Sequence, residues 1–321
     1  MAAASSTTVS FRGKQLRRRA HEVDGVPLVI NGRWLRLASI FDEEWQECER
    51  ITDPASFVAA MQAERVPADI LTFTQQLPDT VPKHALPFEL TNLAVADCTD
   101  YEAWWAILRQ NARSDVRRAR KVGLVIEEMA FDDEFARGVK EIYDESPVRQ
   151  GRKFWHYGKS LEAVKRENMT YLDRSIVIGA RHEGELVGFL KLVRIGEGAR
   201  VMQILAKTAH LQKKPMHALI AKAVEICSAR GLKHLVYGPY SYGANTSVQL
   251  TDFKRRNGFQ EVTLPRYYVP LNARGRLALR LRLHLGAKHF VPNWADRAMR
   301  DVRAAYYRWR FPAVETKGDA K

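Results

Sequence analysis

Three apolar runs, Ser175–Ala180, Leu186–Ile195 and Arg200–Thr208, are separated by little more than the turn pairs Glu183-Gly184 and Glu197-Gly198. Connections this short join only antiparallel neighbours, because a parallel partner needs a crossover of roughly a dozen residues or more. An antiparallel meander is therefore fixed, and the surrounding elements must pack on it. Upstream, helices are expected at Asp100–Lys121, stopped by Gly123, at Asp132–Ser146 and at Ser160–Asn168, with a short strand at Leu124–Met129. Downstream follow a helix at Pro215–Arg230 stopped by Gly231, a strand at Leu235–Tyr237, a helix at Ser247–Arg256 and a strand at Gln260–Val269.

Ahead of this unit, residues 1–21 read as a disordered basic arm and residues 22–98 as a small α/β unit. The latter shows a hairpin at Val26–Ile30 and Trp34–Ile40 around Asn31-Gly32, a helix opened by Asp53-Pro54, and a strand at Asp69–Leu77. The stretch 78–87 holds three prolines and reads as a linker. Residues 271–321 form a basic tail, alternating Leu with Arg or His up to Leu285 and then placing Met299, Val302, Tyr306 and Trp309 at helical spacing. Such a tail either docks on the first unit, the reading preferred here, or lies on a membrane surface.

Scattered Cys48, Cys98 and Cys227 and nine dispersed histidines offer no metal-ligand spacing, so no metal is expected. No signal peptide or span is evident, which points to the cytoplasm, peripheral to the inner membrane face if the tail binds lipid. A net charge of +14 favours anionic partners: nucleic acid, a phosphorylated ligand or acidic lipid.

The element order from 99 to 270 resembles the GNAT superfamily of acyltransferases. Arg113-Ser114-Asp115-Val116-Arg117-Arg118-Ala119-Arg120-Lys121-Val122-Gly123, the helix from Phe135 leading to Arg149-Gln150-Gly151, and Asp252-Phe253-Lys254-Arg255-Arg256-Asn257-Gly258-Phe259 resemble motifs of its Fem-like branch, the peptidoglycan-bridge aminoacyltransferases. The resemblance implies a mixed α/β (α+β) fold: a mostly antiparallel sheet, splayed between its fourth and fifth strands and flanked by helices, beside a smaller N-terminal α/β unit and a basic helical C-terminal tail. It implies transfer of an acyl group from acetyl-CoA, another acyl-CoA or an aminoacyl-tRNA to an amine or hydroxyl of an anionic, glycan-like or lipid-linked acceptor. The alternative is a non-catalytic scaffold binding nucleic acid or a membrane.

The donor is expected on Gln212, Lys213, Lys214, Met216 and His217, where the usual glycines are replaced and Pro215 removes an amide. Asn245 belongs to the same set. Backbone amides of Leu205, Ala206 and Lys207 are oxyanion candidates. Tyr242, Tyr240 and Lys254 are the candidates for the catalytic groups, with Tyr242 preferred as general acid. Arg149, Arg152, Trp155, His156 and Tyr157 are the candidates for the acceptor, because arginine and rings together bind anionic or sugar groups.

Overall fold

The computed structural model describes residues 5–11, 14–149, 152–241 and 248–286. The first part comprises strands β1 (Ser5–Phe11), β2 (Lys14–Val23), β3 (Val26–Asn31) and β4 (Leu37–Ile40), helix α1 (Pro54–Ala63), then β5 (Ile70–Thr74) and β6 (Phe88–Asp97). The second comprises α2 (Tyr101–Ile107), α3 (Gln110–Lys121), β7 (Val125–Glu128), α4 (Asp133–Asp144), a tiny β8–β9 ribbon (Val148–Arg149, Arg152–Lys153) and α5 (Leu161–Asn168). It continues with β10 (Ser175–His182), β11 (Glu185–Ile195), β12 (Gly198–Ala206), α6 (Pro215–Ala229), β13 (His234–Val236), α7 (Val248–Arg256), β14 (Gln260–Pro270) and α8 (Ala273–Arg280).

Twelve strands form one sheet in the order β1-β2-β3-β4-β5-β14-β6-β13-β12-β11-β10-β7. The two ends mirror one another. β2-β3-β4 is an antiparallel meander joined through α1 to a parallel β5, and β10-β11-β12 is the same meander joined through α6 to a parallel β13. Even the parallel ladders match, Leu37↔Ile70 to Ser39↔Thr72 in one and Gly198↔His234 to Arg200↔Val236 in the other. Each half then lends its last strand to its counterpart: β6 pairs with β13, β14 with β5, and β6 with β14 across the centre. The fold is thus a doubled unit with a local twofold between β6 and β14, the first copy lacking counterparts of α2 to α5 and of α7.

Three expectations need correction. The stretch expected as a disordered arm carries β1 and β2, because β2 extends the meander by pairing with β3 and β1 pairs onto β2. The single helix expected over Asp100–Lys121 is two, since Leu108 and Arg109 are extended and Leu108 is buried under Trp104's neighbourhood in the core. No strand was expected at β6, whose inward positions Ala94 and Ala96 carry little apolar signal. The tail segment around Met299–Trp309 lies outside the described residues.

Capping residues set the helix starts. Asp53, Asp100, Asp132, Ser160 and Asn272 each accept backbone N–H bonds at the head of α1, α2, α4, α5 and α8. The largest core lies on one face, where Ala112, Val116 and Ala119 of α3 and Leu219, Ala223 and Cys227 of α6 pack on Ile176, Ile178, Leu190 and Leu235. Phe57 and Met61 of α1 build the corresponding core in the first copy. On the opposite face α4 and α5 bury Phe135, Val139, Ile142 and Tyr143.

The start of the tail docks on the first copy. Asn272 Nδ2 donates to the Asp69 carboxylate at 3.0 Å, and a methyl added at Gly275 would sit 2.0 Å from the Asp69 carbonyl. That oxygen is backbone and cannot swing away. Gly275→Ala should therefore destabilise the protein by about 1–3 kcal/mol, measured as a lower urea midpoint with an unchanged slope.

Candidate acyl-transfer site

β12 and β13 stay paired only as far as Arg200↔Val236. A bulge follows at once, because Lys191 faces Gln203 while Leu192 faces Val201, leaving Met202 as the extra residue. Beyond it β12 continues to Ala206 while β13 ends, so the far side of β12 has no strand partner, and this gap between them is the candidate groove. Pairing with β11 consumes alternate amides. Lys207 N donates to Val187 O at 2.7 Å, and ladder alternation turns Leu205 the same way and Ala206 toward the groove. Of the three oxyanion candidates, Ala206 is the one whose amide faces the opening.

The first copy repeats this groove but fills it. Glu43 Oε1 accepts from Thr74 N at 2.6 Å at the end of β5, and Oε2 lies 3.2 Å from Arg266. Burial pushes the Glu43 carboxyl up despite that arginine. Asp53 occupies the first amides of α1. Carboxylates thus sit at both places where the second copy could receive an anion.

The second copy's groove has α6 on one side and the segment after β13 on the other. Lys214 turns through φ 65° and α6 begins with no side-chain cap. Its first turn is nevertheless occupied from the side. Asp115 of α3 lies 3.4 Å from Lys214 Nζ and 3.6 Å from His217 Nε2, and His217 Nδ1 meets Asn257 Oδ1 at 3.0 Å. Burial holds His217 below the usual histidine range, so the ring is neutral near pH 7. Lys213 turns away to His182, 3.0 Å from its Nε2. Met216 packs on the main core, and Gln212 is exposed.

On the other side, the borrowed strand β6 builds the loop. Ala94 N donates to Gly238 O and Tyr237 N to Ala94 O, while Ser241 N donates to Asn92 Oδ1 at 2.8 Å. Lys254 of α7 is fully buried, donates to the Pro239 carbonyl, and lies 4.9 Å from the Tyr237 ring. Burial lowers its pKa to about 8. Phe253 stacks toward His217 at 5.0 Å and so joins α7 to the head of α6. Tyr240 is half-buried against the core, with its carbonyl accepting from Thr251 Oγ1 at 3.4 Å. Tyr242 and Asn245 lie outside the described residues.

The acceptor candidates divide. Arg149 is an internal brace: its guanidinium donates to Ala206 O at 2.9 Å and Ile142 O at 2.6 Å and pairs with Glu145 at 3.0 Å. Glu145 in turn accepts from Thr208 N and Ala209 N at 2.6 and 3.0 Å, tying the end of β12 to α4. His156 is buried, stacked 4.1 Å from Tyr143, with Nε2 at 3.1 Å from Gln203 Nε2. Desolvation, then Lys159 and Arg149, lower its pKa to about 3. Tyr143 Oη donates to Gln203 Oε1 at 2.8 Å, and burial raises its pKa to about 12. Arg152, Trp155 and Tyr157 are exposed, with Lys159 Nζ 4.1 Å from the Trp155 ring.

Sequence motifs did not flag Asn92, Glu145, Gln203 or Lys191. Lys191, on β11 opposite Gln203, donates to the Asn168 and Thr170 carbonyls at 2.5 Å each. Burial lowers its pKa to about 8. Among the described residues, no cluster of His, Cys, Asp and Glu is arranged to hold a metal ion, and no helix is long and apolar enough to cross a membrane.

No family model matches this sequence, and no curated protein sequence matches it. Solved structures do. The fold is similar to the C-terminal domain of an Agrobacterium fabrum protein described as a lysylphosphatidylglycerol synthetase, at 15% identity over 82% of this chain and 87% of that one, TM-score 0.52. It is similar to FemX at 10% identity over 82% and 87%, TM-score 0.51, and to L-PGS from Bacillus licheniformis at 16% over 82% and 88%, TM-score 0.50. Likeness at these identities is one of fold: this chain shares the fold of the lysylphosphatidylglycerol synthetase C-terminal domain and of FemX.

Proposed function

We propose that the protein is an acyltransferase working in the groove between β12 and β13. The observation that carries this reading is the asymmetry of the doubled fold. In the first copy Glu43 caps the end of β5, whereas in the second β12 runs on past β13 to Ala206 with no carboxylate on that edge, and Lys254 is buried against Pro239 of the segment that follows β13.

Acyl transfer needs an oxyanion donor, a proton for the leaving group, and a base or water path that takes the proton of the attacking amine or hydroxyl, here water. The Ala206 amide supplies the first. Lys254 supplies the second: an ammonium with a pKa of about 8 gives up a proton readily near neutral pH and stabilises developing negative charge until then. Tyr240, on the segment that follows β13, is a further proton carrier. The acceptor is an amine or hydroxyl, on a small anionic molecule, a glycan or a lipid. The name of one structural neighbour joins lysine to phosphatidylglycerol, which makes a lipid-linked acceptor the first to assay.

For the donor, aminoacyl-tRNA fits the residues better than acyl-CoA. A coenzyme's diphosphate would rest on the first amides of α6. Here Pro215 has no amide and the Asp115 carboxylate already occupies the approach, so a diphosphate would meet like charge. A tRNA needs only its acyl end in the groove, with its backbone on the basic surface. Calorimetric titration should show tRNA binding that weakens steeply with salt, and coenzyme A binding that is absent or appears only in Asp115→Asn. Tight coenzyme A binding to the unaltered protein would reverse the choice. Salt-sensitive tRNA binding without any discharge of the aminoacyl group would identify a binding scaffold instead.

Lys254→Met should lower kcat by about 10² to 10⁴ while tRNA affinity holds. Because the working form is the ammonium and its pKa is about 8, activity should be flat below that value and fall as pH rises through it. The falling limb should vanish in Lys254→Met. A limb that persists there, or full activity in the variant, removes Lys254 from proton transfer.

A further inference from the structure

α8 buries one side and leaves the other bare. Gly275 and Ala278 face the sheet, while Leu277 and Leu281 are more than half exposed and Leu283 nearly so. Between Ala273 and Gly286 the chain carries Arg274, Arg276, Arg280, Arg282 and His284 and no acidic residue. Among the described residues, none of Arg276, Arg280 and Arg282 forms an ion pair. Arg274 Nη1 reaches the Trp34 carbonyl at 3.4 Å, which brings the β3–β4 turn beside the helix. Trp34 is 85% exposed, and Arg33 next to it is exposed as well.

We propose that this face, Trp34 with Leu277, Leu281 and Leu283 in a ring of arginines, is a docking surface for an anionic lipid bilayer. Leucine and tryptophan enter the boundary of the acyl region, and arginines reach the lipid phosphates from the rim. The inference does not depend on the acyl-transfer reading.

Other covers fit less well. Residues 287–321 carry eight Lys and Arg against four Asp and Glu and would bring positive charge to a positive face. A second copy meeting this face with its own would set arginine against arginine. A nucleic acid would use the arginines but gain nothing from three exposed leucines.

The test is flotation of the full chain with vesicles of phosphatidylcholine containing 30% phosphatidylglycerol, roughly a strongly anionic membrane, and with phosphatidylcholine alone. The protein should float with the anionic vesicles only. Arg276→Glu with Arg280→Glu should reduce the bound fraction roughly tenfold or more. Leu277→Ser with Leu281→Ser should also reduce it severalfold, with melting temperature unchanged because these side chains already face water. Trp34→Ala is a second probe far in sequence from the helix and should act in the same direction. Full vesicle binding in the leucine and tryptophan variants would overturn the proposal, leaving simple charge attraction. Absent vesicle binding overturns it too. If the leucine variants then melt lower, the chain's own tail is the cover; if they convert a dimer to a monomer, a second copy is; if they lose tRNA, a nucleic acid is.

Discussion

The pairing of β6 with β14 holds the two halves of this molecule together. Each half makes a meander, a helix and a parallel strand, and then sends its last strand across to complete the other's sheet. Neither half has a covered edge without its counterpart. An isolated half would expose the side of β5 or β13 that its partner normally pairs, and an unpaired edge of this kind invites aggregation. The exchange also explains why residues far apart in sequence meet at the site. Asn92, in the first copy's lent strand, holds the backbone of Ser241 in the loop that follows the second copy's β13.

Duplication supplies an internal control for reading the groove. Both copies end their parallel ladder after three residue pairs and both put a helix beside the opening. In the first copy the chain turns at once into the acidic segment 42–49, whose carboxylates spread over neighbouring elements. Glu43 reaches Thr74 and Arg266, Glu44 reaches Arg200 at 2.5 Å, and Glu49 reaches Lys83 at 2.8 Å. Arg200 and Arg266 belong to the second copy, so the segment that closes the first groove also clamps the two copies. Closure of one groove and rigidity of the whole are the same set of contacts.

Much of this was legible in the sequence. The turn at Glu183-Gly184 is where the sequence put it, while the second turn falls one residue earlier than expected, at Gly196-Glu197, with Gly198 opening β12. The Phe253-Lys254 and Asn257-Gly258 pairs proved to carry tight geometry: Asn257 bonds His217, and Gly258 takes φ +77° where a side chain would strike Trp104. The doubling was not legible, for two physical reasons. The first copy lacks the helices that give the second its element order, and β6 carries alanine where a strand usually shows branched residues. Arg149 shows a different limit. Its charge and neighbouring rings suggested a ligand contact, yet burial has committed it to three internal partners, and composition alone does not distinguish a brace from a binding group. Tyr242 and Asn245, together with the distal tail, fall outside the described residues.

The two buried lysines show why position, and not protonation alone, must identify a catalytic group. Lys191 and Lys254 are both fully buried and burial lowers both to about 8. A perturbed pKa in a cleft is a useful pointer to function, but structural groups show the same shift. Lys191 donates to the Asn168 and Thr170 carbonyls, on the face covered by α4 and α5, and so fastens the end of α5 to β11. Lys254, on α7, instead donates to Pro239 of the segment that follows β13, the loop held by the borrowed strand. Burying an amine costs free energy in both places. At Lys191 the return is a rigid junction. At Lys254 it is a fastening of α7 to the carbonyl of Pro239, on the segment that follows β13.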